Sequence, residues 1–193
     1  MDFRFLSHRV KSIILDPEKT WEAIHYENRP VNFVRGSFFF PLIILVAISA
    51  FLGSILFTNT GVSEAYSVLL GIKYFVLLCL VLYGTSFILN EITSYLGLGR
   101  NSAFSFKLVV YSSAPFLLCQ IVSRLFESFI FVNVLALYGL YIFWTGIVKM
   151  LNPPEKKRML LLVTTTVVFI VLLIGGNWVL TQIMDKIYFT FFS

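Results

Sequence analysis

Long runs of apolar residues alternate with short polar connections along this chain, and the lengths of the runs set the first expectation. Between Arg35 and Glu64 no charged residue occurs. A tilted helix needs about 20 apolar residues to cross roughly 30 Å of hydrocarbon, so residues 36–57 predict a first membrane span. Four more are expected at 65–88, 104–123, 128–148 and 159–182. The second is interrupted by Lys73; the third carries Lys107 near one end and Pro115 inside. The stretch from Phe104 to Arg158, two apolar runs about a short turn with Arg124 and Glu127, reads as a transmembrane hairpin with partner segments on either side. The expected fold class is all-α: a polytopic membrane bundle of five transmembrane helices over residues 36–193, preceded by a short N-terminal amphipathic helical region over residues 1–35.

In that leading region the apolar residues become periodic. Phe3, Leu6, Val10, Ile13 and Ile14 recur three or four apart, while Arg4, His8, Arg9 and Lys11 take the opposite side. This is the pattern of a basic amphipathic helix lying in the head-group layer. Asp16-Pro17 then supplies a cap and a proline at the first helical position, so a second short helix should begin there and put Trp21 and Ile24 on one face. Arg4, Arg9, Lys11 and Trp21 are accordingly the candidate lipid-interface residues, Trp21 because an aromatic ring with a polar edge favours the interface. Packing of this region on the cytoplasmic ends of the spans is the alternative.

Composition agrees with a membrane protein. With 58% hydrophobic, 17% aromatic and only 13% charged residues, and a mean hydropathy of +0.87, 193 residues carry more apolar surface than a soluble domain hides. A net charge of +5 in a soluble protein suggests nucleic acid. Here the Lys and Arg residues cluster at span ends, so the expected partners are the bilayer and its anionic head groups, and no nucleic acid. Their distribution also gives an orientation. Six precede the first span, Arg100 with Lys107 borders the third, and Lys149, Lys156, Lys157 and Arg158 precede the fifth; the other side has Arg124 and Lys186. The positive-inside rule places the N-terminus in the cytoplasm and the C-terminus outside. The first 35 residues lack the apolar core of a cleavable signal peptide, so the first span is expected to direct insertion.

The spans offer little chemistry. None contains a histidine or an acidic residue, and neither Gly-x-Ser-x-Gly nor His-Glu-x-x-His occurs. No catalytic, cofactor-binding or metal residue is predicted, and the expected activity is non-enzymatic. Glu22-Ala23-Ile24-His25 matches half of a di-iron carboxylate site, but the second half and its inward-facing Glu are missing. Cys79 and Cys119 are expected as free thiols in apolar runs, and Gly97-Leu98-Gly99 as a hinge. The polar residues that are costly in lipid are Lys73, Lys107 and Asn177, with Glu127 in a connecting turn. Lys73 either snorkels or pairs with Glu127, for which Arg124 competes. Pro115, Gly139, Gly146, Gly175 and Gly176 are candidate packing or hinge positions, and Ser49 with Gly53 a further small-residue pair.

These residues also carry a resemblance. Asp16-Pro17 with Trp21 ahead of the first span, Gly97-Leu98-Gly99 before an aromatic-led third span, Tyr111 to Pro115 within it, and Tyr138-Gly139-Leu140-Tyr141 with Gly146 before a Pro and Lys/Arg loop resemble the Yip1 family over nearly the whole chain. The resemblance implies a cytoplasmic N-terminus and five membrane spans. In eukaryotes it would imply vesicle traffic and Rab-type GTPases. This chain lacks the long N-terminal cytosolic domain and the Asp-Leu-Tyr-Gly-Pro stretch of that pattern. It is therefore similar to prokaryotic members, which implies the bacterial inner membrane and no carried-over GTPase partner. The expected function is a membrane scaffold or adaptor binding lipid, a partner membrane protein or a second copy of itself. The alternative is a small-solute transporter or channel component with Lys73, Lys107, Gln120, Asn133 and Asn177 along a polar path.

Overall fold

A computed structural model describes residues 3–27, 29–57 and 64–191, without the side chains of Glu127 and Ser128. Every regular element among them is helical. Helices α1 (Phe3–Leu15) and α2 (Pro17–Glu27) form an N-terminal hairpin. A short α3 (Val31–Val34) leads through a π-helical turn at Arg35–Phe39 into α4 (Phe40–Phe57). Then come α5 (Glu64–Tyr95), α6 (Ser102–Ser112), α7 (Ala114–Leu125), a 3-10 segment (Glu127–Leu137), α8 (Tyr138–Leu151) and α9 (Glu155–Phe191).

Four of these stretches are long and apolar enough to cross a membrane: Val31–Leu56, Glu64–Tyr95, Phe129–Leu151 and Glu155–Phe191. The pair α6 and α7 qualifies as a fifth, bent by 44°. The fold is thus an all-α bundle with four to five helices fit to cross a membrane, the fifth depending on the bent pair, and most of the helices extend past the apolar runs into the polar connections. The bend is the main departure. Proline has no amide hydrogen and its ring crowds the carbonyl four residues back, so the helix cannot continue through Pro115. It stops at Ser113 (φ −78°, ψ −3°) and restarts with Pro115 in the first turn of α7, where the missing donor costs nothing. The 3-10 segment is a second departure, since such helices seldom exceed a few residues. It begins with a break from helical geometry at Phe129 (φ −97°, ψ 24°).

Alternate crossings give the bundle two ends. One end, called here the near face, carries the N-terminal hairpin and the turns around Gly97 and Pro153; the other, the far face, carries the starts of α5 and the 3-10 segment and the end of α9. At the near face α5 ends in a Schellman turn: Leu98 N–H donates to Thr93 O at 2.9 Å and Gly97 N–H to Ser94 O at 3.0 Å. Gly97 takes φ +70°, which a side chain would resist. Lys157 Nζ, from the basic loop before α9, donates to Leu96 O at 2.7 Å and so caps the same helix end. That loop follows Asn152, which closes α8 with a left-handed φ of 40°.

The core lies between α4, α5, α6 and α8, where Phe38, Phe39, Ile43, Leu82, Leu108 and Ile142 are all fully enclosed. By contrast, α9 packs chiefly on α5, and only 11% of its apolar window is buried within the chain. Its remaining faces, with Val171, Ile174 and Trp178 each more than 60% exposed, are left to lipid or to another protein.

Candidate functional site

Three places combine polar groups with space. The first is the near-face hairpin. Its amphipathic pattern points inward, so α1 lies against the turn at Arg35–Phe39 and against α7, while α2 lies along α8. Trp21 is fully buried; its Nε1–H donates to Ile142 O at 2.9 Å and its ring meets Tyr111 edge-on at 6.1 Å. Gly146 makes room for it, since a Cβ there would lie 2.7 Å from the indole. Arg9 is 6% exposed, ion-paired to Glu27 at 2.5 Å and set 5.2 Å above the Phe5 ring. Thus Trp21 and Arg9 do not reach head groups as expected: an apolar helix face is satisfied equally by protein and by lipid, and here protein covers it. Arg4 and Lys11 remain exposed. They border a groove of about 640 Å³ floored by Leu42, Leu45 and Leu118. At the hairpin's other end Lys149 meets Glu22 at 2.6 Å and Glu18 at 4.0 Å, which occupies the carboxylate of the Glu-x-x-His half-site.

The second place is a cavity of about 90 Å³ at the bend. The hydroxyls of Thr85, Ser112 and Thr165 line it, all buried and without a hydrogen-bond partner among the described residues. Burying such a group unpaired costs about 1–3 kcal/mol, and several around a space of this size are the partners an ordered water needs. Gly139 closes one side; a Cβ on it would lie 2.7 Å from Ser112 O.

The third place is a cavity of about 480 Å³ between α5, α7 and α9 in the far half. Arg124, at the end of α7, lies 4.4 Å above the Tyr74 ring. Its Nε donates to Gln120 Oε1 at 3.1 Å, Gln120 Nε2 to Asn133 Oδ1 at 3.2 Å, and Asn133 Nδ2 to Ile130 O at 2.9 Å. This chain of amides ties α7 to the 3-10 segment. Lys73 is 9% exposed, with Nζ 5.3 Å from the Tyr74 ring. Asn177, Thr181 and Gln182 of α9 form the opposite wall.

A Yip1 domain spans residues 11–176, from within α1 to the middle of α9. The chain belongs to the Yip1 family. No curated protein and no solved structure matches it. The Yip1 domain therefore includes most of the hairpin, all of α2, both bent helices and the first half of α9.

Within this Yip1 bundle the polar candidates are dispersed. Asn177 is part of the wall of the third cavity, whereas Lys73 is not in the lining and stands beside it over the Tyr74 ring. Lys107, 8% exposed in the second turn of α6, is at the opposite end of the bundle. The five residues expected along one polar path thus do not line a single cavity. The side chain of Glu127, and with it the expected pairing to Lys73, lies outside the described residues. Among the glycines, Gly146 and Gly139 sit at close crossings, Gly176 comes within 3.1 Å of Leu77, and Gly175 faces open space. The tightest crossing is at Gly53, where a Cβ would fall 1.9 Å from Arg124 O. Sequence reasoning passed over Arg124 and Tyr74 as site residues. The spacing of Gln120 and Arg124, four apart on a helix, was the available signal.

Proposed function

We propose that this Yip1-family membrane protein is a non-enzymatic scaffold or adaptor that holds lipid or a partner membrane protein, including a second copy of itself, in the bacterial inner membrane. The observation that carries this reading is α9: a helix of 37 residues whose apolar span is only 11% buried by its own chain. A bundle element with that much apolar surface has its remaining contacts supplied by lipid or by other helices, and transmembrane helices associate through such faces. The exposed Arg4 and Lys11 beside an apolar groove support attraction of anionic head groups at the near face. The Lys and Arg distribution supports a cytoplasmic near face and an extracytoplasmic C-terminus.

Purification in a lipid-preserving polymer, with identification of what co-isolates in stoichiometric amount, tests the scaffold reading. A defined partner or a dimer is the expected result. The second reading, a small-solute transporter or channel component, is favoured by the break at Ser113, because discontinuous helices frame substrate sites in secondary transporters. Solute flux in liposomes that disappears on Lys73→Met, with no stoichiometric partner, would replace the scaffold by the transporter.

A further inference from the structure

We infer that the cavity between α5, α7 and α9 is a binding site for one anionic phospholipid, its phosphate held by Arg124 with Lys73 alongside and one acyl chain descending along α9. This goes beyond the scaffold reading and stands or falls apart from it.

Four observations converge. First, the cavity is graded in polarity along the membrane normal. Arg124, Thr181 and Gln182 lie towards the far face, whereas Phe116, Leu77 and Leu173 lie deeper, as the directions of α5, α7 and α9 require. A head group above and a hydrocarbon chain below fit that gradient, while a soluble anion would leave the lower half unfilled. Second, two cations stand together with one described counter-charge between them. Neither Arg124 nor Lys73 has an ion pair among the described residues: Arg124 contacts the neutral Gln120 and the face of Tyr74. Asp185 on α9 lies within electrostatic range of Lys73 and offsets one positive charge, so that among the described side chains one positive charge is in excess. A charge held near hydrocarbon is stabilised by an opposite charge, and basic pockets between transmembrane helices bind lipid phosphates for this reason.

Third, the side-chain amides of Asn177 and Gln182 make no hydrogen bond to another described residue, so donors are available beside the guanidinium. Fourth, the cavity opens sideways: Ile174 and Trp178 line it and are 65% and 66% exposed, so a lipid enters laterally from the bilayer. Its volume of about 480 Å³ falls within the range of roughly 300–1,000 Å³ typical of ligand sites. Depth adds to this. Lys73 follows Glu64 by roughly 13 Å along α5 at about 1.5 Å per residue, and its four-carbon stem lets the ammonium reach part of the way back towards the head-group level.

The test uses the full chain in nanodiscs of equal parts phosphatidylglycerol and phosphatidylcholine, with lipids retained per protein counted by native mass spectrometry. One retained phosphatidylglycerol is expected in preference to phosphatidylcholine. Arg124→Gln should weaken that retention roughly tenfold or more, the effect of losing one charge-assisted contact, and Arg124→Lys should keep part of it. Because Arg124 also stacks on Tyr74, Arg124→Gln is paired with Asn177→Leu, which leaves both cations in place but removes an amide donor from beside the guanidinium and should likewise weaken retention of the lipid. Lys156→Gln, on the other face, should leave it bound. Equal retention of the two lipids, or retention unchanged in Asn177→Leu, would overturn the assignment. Thermal stabilisation of delipidated protein by inorganic phosphate as large as by short-chain phosphatidylglycerol would overturn it in favour of a soluble anion.

Discussion

At the scale of single residues, the glycines separate close crossings from open surface. Gly53→Ala would drive a methyl group into the backbone carbonyl of Arg124, 1.9 Å away, so α4 and α7 must move apart. Overpacking of this kind costs about 1–3 kcal/mol, and the thermal midpoint in detergent should fall clearly. Gly175→Ala meets nothing within 4 Å and should raise the midpoint or leave it unchanged, since alanine is favoured over glycine in a helix by up to about 1 kcal/mol. Equal effects of the two changes would mean that the helices do not cross as described. Trp21→Phe keeps the ring but removes the donor to Ile142 O. A loss of about 1–2 kcal/mol is expected, and an unaltered midpoint would contradict the buried position of the indole.

At the scale of elements, lipid makes some features legible and hides others. The four to five candidate spans could be read from the sequence because hydrocarbon thickness dictates the length of an uncharged run, and Lys, Arg and Glu mark the ends. The break in the third crossing was signalled by Pro115, but its location at Ser113 depends on where α6 can end against α8, which is a tertiary fact. The placement of Arg9 and Trp21 was not legible. Periodicity shows that one face of α1 and of α2 is apolar without showing whether acyl chains or Tyr111 and Phe5 cover it. Arg124 was visible in sequence only as a local competitor for Glu127, because Tyr74 reaches it from another helix and Asn133 is linked to it only through Gln120. One local signal did carry through. Asp16 caps α2, accepting from the Lys19 amide at 3.2 Å and pairing with the Lys19 ammonium at 2.8 Å. The hydrogen bonds from Lys19, side chain first and then backbone, hold its carboxyl below the ordinary aspartate value. A lowered carboxylate pKa means that the cap is at full strength above the unfolded value and is lost as pH falls through the folded one. Protection of the amides at the start of α2, measured against the intrinsic exchange rate at each pH, should therefore fall in acid below the usual aspartate range, and Asp16→Ala should lower it at neutral pH. If the protection there is the same at both pH values, the cap contributes nothing.

At the scale of the whole molecule, sidedness is the property that every other expectation depends on. A reporter joined after Phe191 should behave as extracytoplasmic and one inserted at Asn152 as cytoplasmic. If both report the cytoplasm, the bent pair turns back instead of crossing. The 3-10 segment adds a further property to the fourth crossing. Past the break at Phe129 its eight residues 130–137 reach roughly 16 Å at about 2.0 Å per residue, whereas an α-helix of the same length would reach about 12 Å. Conversion between the two forms would change the height of this crossing by about 4 Å, most of the spread in hydrocarbon thickness among natural membranes. It also turns Asn133 away from Gln120, because the two helices differ in rotation per residue. Such a conversion would couple bilayer thickness to the amide chain that holds Arg124. In nanodiscs of short-chain lipid, the separation of spin labels at Ile130 and Tyr138 should shrink relative to long-chain lipid; a separation that ignores chain length would show the segment to be a rigid strut.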